Sequence, residues 1–170
     1  MNKELLILSA LLHSNTFKQR TLPHIKAEYF EREETKTIFN VISSYEAEYK
    51  QVPNESAFEI ELQNLSIPES IYQEVDKLRT KMFSEKVQDH IQKSSMDWLV
   101  DTTEKYCLQR SVFNAVSKSV EVISGEDEKT PQEALPALLR DALNVTFDRN
   151  IGHDYLEDYE SRYEYYHLKE

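Results

Sequence analysis

Apolar residues recur along most of this chain at intervals of three and four, the period of a helix with one buried side. From Lys3 to His13, Leu5, Leu8 and Leu12 fall on one face with Ile7 and Leu11 beside them. Asn15 marks a stop and restart before a short helix that Pro23 interrupts. Between Arg32 and Gln51, Ile38, Ile42, Tyr45 and Tyr49 run at spacings 4, 3, 4, which predicts a long helix ended by Pro53. Asn54 is the expected N-cap of a short helix through Leu62, because its side-chain oxygen can accept an orphaned first-turn N–H. Ser66-Ile67-Pro68-Glu69 reads as a capping box, with Ile71, Val75, Leu78 and Met82 repeating the 4, 3, 4 stripe behind it.

After a polar stretch from Ser84 to Ser95 comes the most regular pattern, from Met96 to Ser124. Leu99, Tyr106, Phe113 and Val120 stand seven apart, and Val116 and Ile123 supply the d positions of the last two heptads. A polar turn, Gly125 to Lys129, and a second capping box, Thr130-Pro131-Gln132-Glu133, open a return helix through Phe147. That helix offers Leu135, Leu138, Leu139, Ala142, Leu143 and Val145, and Pro136 predicts either an irregular first turn or a regular helix that begins only there. The two segments predict a helical hairpin, closed along the seam of Leu99, Tyr106, Phe113, Val116, Val120 and Ile123. Gly152 breaks the chain, and Asp154-Tyr155-Leu156-Glu157 caps a last helix bearing Leu156, Tyr159, Tyr163 and Tyr166 at spacings 3, 4, 3. The pattern as a whole predicts an all-α chain of eight or nine helices. Its divisions are a compact bundle over 1–95, a long hairpin over 96–150 and a final helix within 151–170.

Composition narrows the chemistry. Of 170 residues only two are glycine, Gly125 and Gly152, where average usage gives about twelve. A phosphate-cradling loop needs several glycines close together, so no Walker-type or dinucleotide-binding loop is present. The lone Cys107 forbids an internal disulfide and a multi-cysteine zinc cage, and suits a reducing, cytoplasmic compartment. Thirty-one acidic side chains against twenty basic ones give a net charge of −11, which disfavours nonspecific binding to nucleic acid. The one basic-enriched stretch, Lys77, Arg79, Lys81, Lys86 and Lys93, is interspersed with Asp76, Glu85 and Asp89 and reads as a mixed solvated face, with auxiliary contact to a nucleic-acid strand as the alternative.

No metal, catalytic or cofactor-binding residue is nominated. His13, His24, His90, His153 and His167 are scattered, and none pairs at i, i+4 with another His or with the cysteine. His153 reads as a local cap at a helix start. Acidic pairs such as Glu33-Glu34 and Asp127-Glu128 fall on expected exposed faces, and Cys107 has no evident histidine partner. What remains is apolar surface: the hairpin faces and the tyrosine stripe are wider than the chain covers by itself, a feature of interaction modules.

Particular motifs carry a family likeness. Glu28-Tyr29-Phe30-Glu31 followed by Ile38-Phe39 places an aromatic pair before a helix with an Ile-Phe step. Trp98-Leu99-Val100, Thr103-Glu104-Lys105-Tyr106, Gln109-Arg110, Phe113-Asn114-Ala115 and Ser117-Lys118 follow in order. Phe147-Asp148, Gly152-His153-Asp154, Asp158-Tyr159-Glu160 and Arg162 complete the set. In these the chain resembles the N-terminal domain of DnaB-type replicative helicases, in particular those of T-even-like bacteriophages. The resemblance implies a collar that pairs through its hairpins, helps assemble a hexameric ring around single-stranded DNA, and docks primase and possible helicase loaders. It implies a following RecA-like motor domain, outside these residues, that holds ATP and Mg²⁺ and grips the strand. The chain is then expected to be a fragment cut after a linker helix, non-catalytic by itself, located in a bacterial host's cytoplasm.

On that resemblance the hairpin or oligomer interface is Leu99, Tyr106, Phe113, Val116, Val120 and Ile123, with Leu135, Leu138, Leu139, Ala142 and Leu143 opposite. The linker helix would meet a neighbouring subunit through Leu156, Tyr159, Tyr163 and Tyr166. Two other readings stand beside it: a freestanding acidic all-α adaptor or helicase-loader-like protein, and an enzyme whose site is assembled from scattered carboxylates and histidines.

Overall fold

A computed structural model describes residues 1–147, and these form helices and turns with no strand among them. The all-α expectation is met. In chain order they are α1 (Lys3–His13), α2 (Asn15–Thr21), 3-10 turns at Leu22–His24 and Ala27–Tyr29, and α3 (Glu33–Tyr49). There follow α4 (Glu55–Gln63), α5 (Glu69–Met82), α6 (Glu85–Lys93), α7 (Met96–Ser124), a 3-10 turn at Gln132–Ala134 and α8 (Leu135–Leu143). The tyrosine helix, with Leu156, Tyr159, Tyr163 and Tyr166, and His153 and His167 lie outside the described residues.

Local chemistry starts these helices. Asn2, Ser14, Asn54, Ser84 and Ser95 each accept a first-turn N–H, from Leu5 at 2.8 Å, Phe17 at 3.2 Å, Ala57 at 2.8 Å, Val87 at 3.3 Å and Trp98 at 3.3 Å. The capping box expected at Ser66 does not form. Pro68 itself is the N-cap of α5, with no side-chain cap bond, and Ser66 lies two residues too early to reach the first turn. The stretch from Ser84 to Ser95 is not merely polar: Val87 and Ile91, four apart and both buried, pin α6 against α1.

α1 is the centre of the molecule. Every residue from Glu4 to Leu12 is buried, so the helix is apolar on all sides and is packed by α2, α3, α5, α6 and α7. Phe17, Phe30, Ile38, Ile42, Phe58, Leu62, Val75 and Met82 close around it, each almost wholly withdrawn from solvent. The Ile38–Tyr49 stripe is buried only in its first half. Tyr45 and Tyr49 instead pair with each other at the rim, their ring centres 4.7 Å apart. Arg79 ties α5 to α4 by bonding Asp76 at 2.9 Å and Glu59 at 3.0 Å and by pairing with Glu55.

The second turn region also departs from expectation. Thr130 does not cap the return helix. Its hydroxyl donates to Asp127 at 2.9 Å, and the same carboxylate accepts the N–H groups of Lys129 at 2.9 Å and Thr130 at 3.2 Å and pairs with Lys118. Regular helix begins at Leu135 with Pro136 in its first turn, where a missing N–H costs nothing, and it ends at Leu143 instead of Phe147. Phe147 leaves the helix to dock in the bundle core. Its N–H donates to Glu104 at 2.9 Å, and its ring stacks on His24 with centres 5.2 Å apart.

Candidate functional site

The heptad seam of α7 is one stripe in sequence but has two environments in space. At 29 residues the helix is about 43 Å long. Its first half lies in the bundle: Leu99, Val100, Tyr106 and Cys107 belong to the same core as α1. The second half runs past the bundle alongside α8, tethered at its root where Arg110 donates to the Tyr29 carbonyl at 3.0 Å and Asn114 to the Glu28 carbonyl at 2.8 Å.

Hairpin closure therefore does not use the expected seam. The residues of α7 buried beside α8 are Ala115, Ser119 and Val122, another face of the same helix. On α8 only Ala142 is fully buried, while Leu135, Leu138 and Leu139 are half-buried and Leu143 is exposed. Small residues at 115, 119 and 142 let the two backbones approach, which is the physical reason that this face closes the hairpin. Phe113, Val116, Val120 and Ile123 consequently point outward, 57%, 49%, 59% and 66% exposed. The Arg110 guanidinium lies over the Phe113 ring at 4.8 Å.

Leu99 and Tyr106 have a different role. The Tyr106 hydroxyl donates to Glu4 at 2.8 Å and sits 3.0 Å from the Tyr29 carbonyl, while the same Glu4 oxygen accepts the Glu31 N–H at 2.7 Å. Burial, and then the bond to Glu4, push the Tyr106 phenol far above its ordinary value. This knot joins α1, the turn before α3 and α7. Sequence reasoning saw Tyr106 only as a spaced apolar residue, and nothing in its spacing named Glu4 as its partner.

Burial and then the neighbouring Glu104 push the Cys107 thiol up to about 12, so it stays protonated and unreactive at neutral pH. Among the described residues no group of three His, Cys, Asp or Glu side chains is placed to hold a metal ion. None of the described helices is long and apolar enough to cross a membrane. Between hairpin and bundle runs a groove of ≈ 590 Å³ lined by residues such as Tyr29, Lys36, Asn114, Lys118, Leu138 and Asp141.

No family model matches the chain. Among curated proteins it is similar to the DnaB-like replicative helicase of Enterobacteria phage T4, with 36% identity over 166 residues, which is 93% of this chain and 34% of the relative. The resemblance read from the motifs is borne out by that likeness. The chain spans about a third of the length of the relative it matches.

Proposed function

We propose that this chain is the N-terminal collar of a phage hexameric replicative DNA helicase, and that it pairs copies through the outer face of its hairpin. One observation carries the reading: four large apolar side chains, Phe113, Val116, Val120 and Ile123, stand about half exposed or more in an unbroken 3, 4, 3 stripe on the projecting end of α7. Similarity to a replicative helicase supplies the context in which such a stripe has a use. Single exposed apolar residues need no explanation, whereas a contiguous stripe on a helix held out from the bundle is how a partner helix is met. Burying it against a second copy's stripe would give a small apolar core ringed by the charged residues of the same helices.

The collar acts by geometry. Holding chains together raises the effective concentration of whatever domain follows each one, which in this reading is the RecA-like motor that uses ATP and Mg²⁺. The same logic extends to primase, which a collar would keep near the strand that the motor delivers.

The test is the solution mass of the chain by light scattering over a wide concentration range, beside a Phe113→Glu, Val120→Glu variant. A dimer or larger assembly for the parent chain and a monomer for the variant is the expected result. Equal masses for both would sink the hairpin stripe as the interface. Circular dichroism checks that the variant is folded, which is expected because neither side chain contributes to the core.

A further inference from the structure

We propose that the groove bounded by α1, α5, α6 and the start of α7 binds single-stranded DNA, holding phosphates with Lys81, Lys86 and Lys93 and stacking an unpaired base on Trp98. The basic-enriched stretch that sequence alone gave as a mixed face is sorted by the fold into two sets. Lys77 pairs with Glu74 at 3.1 Å, and Arg79 is consumed by Asp76, Glu55 and Glu59. Lys81, Lys86 and Lys93 instead converge on a groove of ≈ 960 Å³, whose apolar floor includes Leu5, Leu6 and Val87. Lys81 and Lys86 enter no ion pair among the described residues, and Lys93 makes an exposed i, i+4 pair with the one acid in the lining, Asp89, at 2.9 Å, a pair weak enough to exchange for a phosphate. In a chain of net charge −11 this is a local positive pocket.

Trp98 decides the kind of anion. It is the only tryptophan of the chain, lines the same groove, and is 50% exposed where the neighbouring Leu99 and Val100 are buried. A flat aromatic face beside lysines is how proteins hold unpaired bases without reading sequence. A duplex keeps its bases stacked and offers Trp98 nothing. The groove's hydroxyl protons are already donated within α5 and its C-terminal turn, Thr80 to the Asp76 carbonyl at 3.2 Å and Ser84 to the Lys81 carbonyl at 2.7 Å. The choice of DNA over RNA rests on the replicative-helicase reading proposed above, and a uridine oligonucleotide tests it.

The single tryptophan is also the reporter. The full 170-residue chain is titrated with a thymidine oligonucleotide of about 12 nucleotides, following Trp98 emission. Quenching is expected. Three phosphate contacts predict a log–log salt slope of about −2, hence binding about 20-fold weaker at about 200 mM than at about 50 mM salt. Lys81→Glu with Lys86→Glu should weaken binding at least about tenfold and flatten the slope to about −0.7. Trp98→Ala, read by anisotropy of a labelled oligonucleotide, should lose about tenfold. Lys105→Glu with Lys129→Glu, the same charge change outside the groove, should leave affinity within about twofold. Equal losses in the two lysine pairs, or no binding by the parent chain, would overturn the site. Displacement of the oligonucleotide by an equimolar polyglutamate peptide would reassign the groove to acidic protein segments, and tighter binding of a uridine oligonucleotide would refute the DNA assignment.

Discussion

Replacing Tyr106 by phenylalanine removes one oxygen atom from the core and leaves the ring where it is, packed near Phe30 at 6.4 Å between centres. What is lost is the bond to Glu4 at 2.8 Å. Among the described residues the second Glu4 oxygen is buried with no partner, so the carboxylate would keep only the Glu31 N–H at 2.7 Å. The Tyr29 carbonyl fares better, because Arg110 still donates to it at 3.0 Å. Hydrogen bonds to charged groups contribute about 1.5–3 kcal/mol, and a buried acceptor stripped of its donor loses that in full, so a cost of about 2 kcal/mol follows. For a chain of this size that lowers Tm by about 4–8 °C. Urea unfolding followed by far-ultraviolet circular dichroism measures it, at concentrations where parent and variant are both monomeric so that assembly does not contribute. Phe113→Ser, seven residues along the same stripe, should change stability by less than about 0.5 kcal/mol in that assay. A Tyr106→Phe variant as stable as its parent would refute the idea that one half of the seam is structural and the other half presented.

Two further changes probe the ends of the fold. The His13 ring donates to the Met82 carbonyl at 2.6 Å and meets the edge of Phe83, and burial lowers its pKa. The unfolded chain takes up that proton near the ordinary value of 6.5 and the folded chain only at lower pH, so this contribution is complete above 6.5 and is lost as pH falls through the folded value. Urea midpoints measured from about pH 8 to about pH 5 should decline in that window, and His13→Gln should flatten the decline; an unchanged slope would exclude His13 as its source. Gly125 ends α7 at φ +85° with open space around any added Cβ. Gly125→Ala should therefore cost about 1 kcal/mol from backbone conformation alone, read as a lower Tm, and an unchanged Tm would mean that the hairpin tip unfolds separately from the bundle.

Helix existence was legible in the sequence because the apolar period is strong, and Asn54 and Pro53 marked their boundaries by chemistry that acts within one turn. Orientation was not legible. Leu99, Tyr106, Phe113 and Val120 share a heptad position, yet what covers each depends on where the bundle ends along α7, a tertiary fact that no spacing encodes. The hairpin face was missed for a related reason: Ala115 and Ser119 look neutral in an apolar pattern, although small size is what lets two helices approach. Charge hid α6, where two apolar residues among seven polar ones suffice because α1 supplies the rest of the core. Thr130 and Ser66 carried the letters of a capping box, but Asp127 and Pro68 fixed the local backbone first.

The partition of side chains between the two faces of the hairpin bears on its use. Inside lie Ala115, Ser119 and Ala142 with Val122; outside lie Phe113, Val116, Val120 and Ile123. A hairpin selected only to fold would place the larger group inward, since burying each such side chain fully contributes about 1.5–3 kcal/mol. Here that contribution is left half unrealised four times over on one stripe. Net charge of −11 keeps such a chain soluble while the stripe is uncovered, and it also opposes pairing of two like-charged copies. Apolar area at the centre and mutual repulsion around it together favour an association that is reversible and strengthened by salt. Proposed DNA binding in the lysine groove should be weakened by salt for the opposite reason. A salt titration of the full chain therefore separates the two surfaces, because self-association should rise where oligonucleotide affinity falls, and a parallel fall of both would place them on one electrostatic site.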